Sequence, residues 1–313
     1  MRYTFLLPAY KDSFFKDSLK SILNQNYNSD FEIIVSDDCS PYNLISIINK
    51  FHDGRIKYRR NEKNLGAERL SEHWNLLLSK AQGDYVIVAS DDDIYESDFL
   101  QKIDNLINKY PEVDVFRARI RNINAEDEII WEDLIYPEYQ DELSAICAYP
   151  TICMGNNVFK KSALLKKGGF INYPYAMGSD NATVMALSNN GLVNTKDILF
   201  NFRISDIQIS HLSKEKKIDK RKLDAALQFH LWMKNYMDSL SYEKTKLNQI
   251  NIDTFIRKHI KGGLMHCSRL YYGALNIKEF CRLYKFLKSE GCFLRKIDEV
   301  VFIIDYLHNR KYY

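Results

Sequence analysis

The stretch GDYVIVASDDDIYES, Gly83–Ser97, sets an apolar run, Tyr85 to Ala89, just ahead of three consecutive aspartates, Asp91, Asp92 and Asp93. A short continuous apolar run bounded by Gly83 and by charge reads as a strand buried on both faces, the kind found in parallel sheets covered by helices. Adjacent carboxylates repel one another, so three of them at the end of a buried strand require a positive partner.

The residues before Gly83 alternate strand and helix. YTFLLPAY (3–10) is an apolar run stopped by Pro8, FFKDSLKSILNQ (14–25) puts Phe15, Leu19, Ile22 and Leu23 on one helical face, and FEIIVSDD (31–38) is a second buried run. NLISIINKF reads as a helix, RIKYRRN as an alternating strand and AERLSEHWNLLLSKA as an amphipathic helix. This order predicts an α/β fold, a mostly parallel sheet flanked by helices, with ligands bound beyond the carboxyl ends of the strands.

After Asp93 the pattern predicts a helix from Asp98 to about Tyr110, a strand over VDVFRARIRNIN, and a strand then helix over NNVFKKSALLKKGGF, capped by Gly168 and Gly169. A helix then starts near Asp180, followed by a strand over LFNFRIS. The acidic, aromatic segment EDEIIWEDLIYPEYQDEL has no clear period. Beyond Ser213 the spacing is helical throughout: Leu223, Leu227 and Leu231 recur at i+4, and Ile277, Phe280, Tyr284 and Leu287 form a stripe behind Asn276, with Glu279 completing a capping box. The expected domains are residues 1–213, α/β, and 214–313, helical.

The 313 residues, 46% hydrophobic, suffice for one large or two smaller cores. No apolar run approaches the about 20 residues that cross a bilayer, and the apolar start is broken by Pro8 and Asp12, too early for a signal peptide. A cytoplasmic protein is expected. Six scattered cysteines without C-x-x-C spacing argue against a zinc ribbon or a disulfide framework. The net charge of +3 is unevenly spread: residues 214–313 hold 21 Lys and Arg against 11 Asp and Glu, and residues 1–213 hold 23 against 30. The basic region fits either a solvated helical face or peripheral contact with an anionic membrane, and nucleic acid is not expected because no nucleic-acid motif accompanies it.

There is no G-x-G-x-x-G, P-loop, H-E-x-x-H or G-x-S-x-G, and Glu96 stands where an EF-hand needs glycine. Carboxylate chemistry remains. Clustered aspartates suit a hard divalent cation such as Mg²⁺ or Mn²⁺ that also grips a diphosphate, although an Asp-rich turn in isolation is often only a solvated loop.

In this setting LLPAYKDSFFKDSLKSILNQ, FEIIVSDDCS, NEKNLGAERLSEHWNLLLSKAQGDYVIVASDDDIYESDFL and GGFINYPYAMGSDNATVMAL together resemble, in order, the motifs of glycosyltransferase family 2, inverting enzymes with the GT-A fold that use nucleotide-activated sugars. The resemblance covers residues 1 to about 213. It implies that Pro8 and Tyr10 line the base pocket, that Asp38 accepts the N3–H of uracil or thymine, and that Arg69 lies near the base or phosphates. Asp91 would meet the ribose, Asp92 or Asp93 would ligate Mn²⁺ or Mg²⁺, and Asp180 would be the general base. The Ser179-Asp180 pair opening a helix also reads as an ordinary N-cap, a role compatible with catalysis by Asp180.

Two departures stand out. Ser179-Asp180 replaces the family's frequent Glu-Asp, and Phe202-Arg203-Ile204-Ser205 stands where Tyr-Arg-x-His is common. Arg203 would still pair with the diphosphate, and His211 is a candidate for the missing imidazole. The resemblance implies transfer from a UDP-sugar, or a dTDP-sugar, to a glycan or lipid-linked saccharide in surface polysaccharide or capsule biosynthesis. The helical region is left to acceptor binding, a homodimer contact or a membrane. Two other readings stay open: a nucleotidyltransferase that makes the sugar nucleotide, although LLPAYKDS lacks the glycines of that class, and a catalytically silent nucleotide-sugar-binding module.

Overall fold

A computed structural model describes residues 2–206, 208 and 215–312. The chain divides into two compact units, Met1–Asn172 with Asp180–Ile207, and Tyr173–Ser179 with Gln208–Tyr313.

The first unit is the expected α/β fold. Strands β1 (Tyr3–Ala9), β2 (Phe31–Asp37), β3 (Ile56–Arg60) and β4 (Tyr85–Val88) pair in parallel in the order β3-β2-β1-β4. Helices α1 (Phe15–Leu23), α2 (Leu44–Ile48) and α3 (Leu70–Leu78) connect them. The outcome follows from the sequence: β2 and β4 are buried along their whole length, and α1 turns Phe15, Leu19, Ile22 and Leu23 inward. Beyond β4 come β5 (Ile94–Tyr95), α4 (Phe99–Lys109), β6 (Val115–Ile123), β7 (Ile129–Glu132), β8 (Tyr139–Gln140), α5 (Glu142–Ala148), β9 (Asn157–Lys160), α6 (Lys161–Lys166), α7 (Ser179–Leu187) and β10 (Leu192–Arg203). The sheet continues β4-β9-β6-β10-β5. Strand β9 runs antiparallel to both β4 and β6, and β10 runs parallel to β6, so β10 ends on the same rim as β1 to β4. Because β9 is reversed, the residues just before it start from that rim as well.

The segment without a clear period forms β7, paired with β6, and β8, paired with β10, before α5, which Asp141 caps through Ser144 N–H. Its pieces are too short for a periodic signal. The buried Arg117–Asp133 ion pair, with Arg117 Nε also donating to Thr151 O at 2.9 Å, ties it to β6.

The second unit is helical: α8 (Lys216–Ser239), α9 (Lys246–Phe255), a π-helical stretch Ile256–Lys261, α10 (Gly262–Tyr271), α11 (Ile277–Ser289) and α12 (Lys296–Asn309). The Asn276–Glu279 capping box forms as expected. The leucine stripe does not carry α8. Only Leu223 is fully buried, and the inward face continues through Ala226, Phe229, His230, Met233 and Met237, because a 3.6-residue period drifts off a strict i+4 series. Likewise α11 buries Phe280, Leu283 and Leu287 and leaves Ile277 exposed. Tyr306 stacks on Phe280 with ring centroids 3.6 Å apart, which docks α12.

Candidate active site

The sheet gathers its polar turns on one rim. Strand β1 is held between β2 and β4, and Ala89 N–H still donates to Leu6 O, so the aspartate triplet emerges just beyond the last apolar pair. Asp91 Oδ2 accepts both Tyr10 and Lys11 backbone N–H at 2.8 Å, which folds the end of β1 against the triplet. Lys11 Nζ lies 2.9 Å from Asp92 Oδ2 and 3.6 Å from Asp91 Oδ1. The acidic turn therefore holds an ammonium ion. Burial opposes the charge on Lys11, but Asp91 and Asp92 outweigh it and raise its pKa.

The three aspartates differ. Burial raises Asp91 above the usual carboxylate range, against the pull of Lys11. Asp93 is pushed up to about 8, by burial first and by Asp92 next. Its oxygens are engaged within the fold, one by Ser90 Oγ at 2.5 Å and the other by Arg203 backbone N–H at 2.9 Å. Asp92 differs in that its carboxylate contact is the ammonium end of a long side chain, Lys11. A metal held by one or two carboxylates and completed by substrate phosphate needs this kind of donor, hard oxygen facing a replaceable cation, and Asp92 fits it. Asp93 fits it less well. Among the described residues no group of three or more acidic, His or Cys side chains forms a closed metal cage.

Arg203, expected at the diphosphate, is 2% exposed and lies beneath the triplet. Its Nε donates to Asp92 O at 2.9 Å, Nη1 to Asn124 O at 3.0 Å and Ala125 O at 3.3 Å, and Nη2 pairs with Asp127 at 2.6 Å. The guanidinium also stacks on Phe14 at 4.3 Å. In this geometry Arg203 braces the acidic turn.

On the β2 side, Asp38 is buried and accepts Asn61 Nδ2 at 2.8 Å and Leu65 N–H at 2.9 Å on Oδ1, and Gly66 N–H at 3.0 Å on Oδ2. It pins the Asn64-Leu65-Gly66 turn, in which Gly66 takes φ +72°, a left-handed value that glycine adopts without strain. Tyr10 is 42% exposed, its ring open at the rim, and Pro8 is half-buried within β1. Arg69 is exposed and forks onto Glu72 at 2.6 and 2.8 Å.

Asp180 sits in the first turn of α7, which runs back to the start of β10, so its N-terminus returns to the same rim. Thr183 Oγ1 accepts Ile171 N–H at 3.0 Å and anchors the helix. The Asp180 carboxylate accepts Asn181 N–H at 2.8 Å, and burial raises its pKa to about 6 despite that bond. The half-buried Cys153 thiol, which precedes β9, feels the charge of both Asp93 and Asp180, carboxyls 87 positions apart in the chain, and burial first and these charges next push its pKa up. Lys11 and Cys153 were not singled out from sequence. A lysine directly following Pro8 and Tyr10 at a strand end was the available signal for the first. His211 lies outside the described residues.

The model of the family described as "Glycosyl transferase family 2" matches residues 4–168, more than half of the chain. The chain belongs to glycosyl transferase family 2. Among relatives, the poly(ribitol-phosphate) beta-N-acetylglucosaminyltransferase TarS of Staphylococcus aureus is 24% identical over 127 residues, 40% of this chain and 22% of TarS. An uncharacterized glycosyltransferase of Haemophilus influenzae is 34% identical over 100 residues, 31% of this chain and 38% of that one. The matched stretches thus span well under two thirds of the length of these relatives. The fold is similar to that of S. aureus TarS 1–349 solved in complex with UDP-GlcNAc, with a TM-score of 0.66, 12% identity and coverage of 93% of this chain and 88% of that one. It is also similar to the mannosyltransferase PcManGT of Pyrobaculum calidifontis in complex with GDP-Man and Mn²⁺, with a TM-score of 0.56, 17% identity and coverage of 98% and 85%.

Proposed function

We propose that this family 2 glycosyltransferase moves a sugar from a UDP-sugar, or a dTDP-sugar, to a hydroxyl of a growing cell-surface glycan in one inverting displacement. The observation that carries this reading is the presence, on one rim, of a crowded acidic turn and a separate half-buried carboxyl, Asp180, whose pKa desolvation raises to about 6. A carboxyl in that range is ionised at neutral pH and basic enough to take a hydroxyl proton during attack.

Asp180 takes the acceptor proton as the hydroxyl oxygen bonds to the anomeric carbon, and the bond from that carbon to the diphosphate breaks with its electrons leaving on UDP. A divalent ion at Asp92 would neutralise charge on the departing diphosphate. The Tyr10 ring and Pro8 would pack on the nucleobase. The second lone pair of Asp38 Oδ2 would accept the N3–H of uracil or thymine. Arg69 would leave Glu72 for a phosphate. Asp91 would serve the ribose side while holding the β1 turn, and Arg203 would keep the triplet in place from below. The UDP-GlcNAc and UDP complexes of TarS support the choice of uridine donor.

The test is UDP release with Mn²⁺ across a panel of UDP-sugars, with Asp92→Ala and Asp180→Asn alongside. Both variants should lose turnover, Asp180→Asn by about 10²- to 10⁴-fold with UDP affinity retained. Unchanged turnover in Asp180→Asn would overturn the role of that carboxyl. Tight UDP binding without transfer to any acceptor would favour a nucleotide-sugar-binding module.

A further inference from the structure

We propose that α12 lies flat on an anionic lipid bilayer, presenting its outer face to the membrane interface. Its inner face is already satisfied: Phe302 and Tyr306 are fully buried against Tyr272 and Phe280, and Tyr306 OH donates to Leu275 O at 3.1 Å. The other side of the same helix is also apolar. Ile297, Val300, Val301, Ile304 and Leu307 are 40% to 58% exposed and recur at three- and four-residue spacing, and Leu294, just before the helix, is 79% exposed. A helix apolar on both sides loses water from both, and five aliphatic side chains along one stripe form an unusual surface for water to cover.

Charge names the occupant. The acids of α12 face away from the stripe: Asp298 pairs with Arg295 at 3.0 Å and Glu299 with Lys288 at 2.8 Å, while Asp305 is half-buried. Exposed Lys296 precedes the stripe, and exposed Arg310 and Lys311 follow it. Aliphatic residues on one side with cations at both ends match acyl chains beneath anionic headgroups. A second copy packed across a two-fold axis would instead oppose the basic start of one helix to the basic end of the other. No helix among the described residues is long and apolar enough to cross a membrane, so the contact is interfacial. The proposal is independent of the transferase reading, because it is read without any donor sugar.

The full chain is floated with phosphatidylcholine vesicles, and with vesicles that carry about a third phosphatidylglycerol, at low and high salt. Binding is expected to the anionic vesicles, weakened by salt. Ile304→Asp should abolish it, whereas Leu247→Asp, at an exposed position of α9, should not. Lys296→Glu with Lys311→Glu should weaken it about fivefold or more per residue. Circular dichroism confirms that each variant stays folded, as exposed positions allow. Absence of flotation with anionic vesicles overturns the proposal, as does flotation that Ile304→Asp leaves intact or that is equal on neutral lipid. Light scattering that gives twice the chain mass, reverting to one with Ile304→Asp, would assign the face to a second copy and overturn it too.

Discussion

Lys11 Nζ stands 2.9 Å from Asp92 Oδ2, so the end of the first strand supplies the cation that the acidic turn after the fourth strand requires. A divalent ion at Asp92 must compete with that ammonium. Lys11→Met should therefore bind Mn²⁺ more tightly in the absence of nucleotide, measured by the free-ion signal in an electron paramagnetic resonance titration. It should also lose about 2 kcal/mol of stability without metal, since hydrogen-bonded charges are left without a partner. Unchanged or weaker Mn²⁺ binding would mean the lysine does not occupy the ion's place.

Asp180 sets a pH dependence whose sign differs for activity and stability. As the proposed base, Asp180 would work when ionised, so kcat/KM should rise with pH through an apparent pKa near 6 and then level off. For stability, the folded-state value lies above the unfolded one, so the folded chain binds the proton more tightly. That contribution is fully present below about pH 4 and is lost as pH rises through about 6. Asp180→Asn should then be inactive yet more stable than the parent at pH 7.5, by about 1–2 kcal/mol, in urea denaturation. A variant less stable at that pH would contradict the assignment.

Arg203 tests brace against ligand. A lysine cannot span Asp92 O, Asn124 O and Asp127 together, so Arg203→Lys should cost about 2–4 kcal/mol and lower kcat and Mn²⁺ affinity together. If stability is kept and only the donor KM rises, the guanidinium contacts the diphosphate instead.

In the helical unit, Gly178 takes φ +81°, and a Cβ there would fall 2.4 Å from the Phe229 ring. Gly178→Ala should lower the melting temperature by several degrees, from about 2 kcal/mol of combined strain and overpacking. An unshifted melt would show that the turn relaxes freely.

The order of strands and helices over the first ninety residues, the buried character of β2 and β4 and the capping box at Asn276 could be written down from the chain alone, because burial period and capping are local. The residue types at the candidate site were legible for the same reason: Asp38 and Asp91 to Asp93 stand where a strand pattern ends, and Asp180 where a helix pattern begins. Pairing was decided only by the folded chain. Lys11 meets Asp92 across 81 positions, Cys153 feels the charge of both Asp93 and Asp180, and the Arg203 guanidinium turns inward to backbone carbonyls. Which side of a helix is buried, and which cation answers which carboxylate, depend on neighbours distant in sequence, and a one-dimensional period carries no record of them.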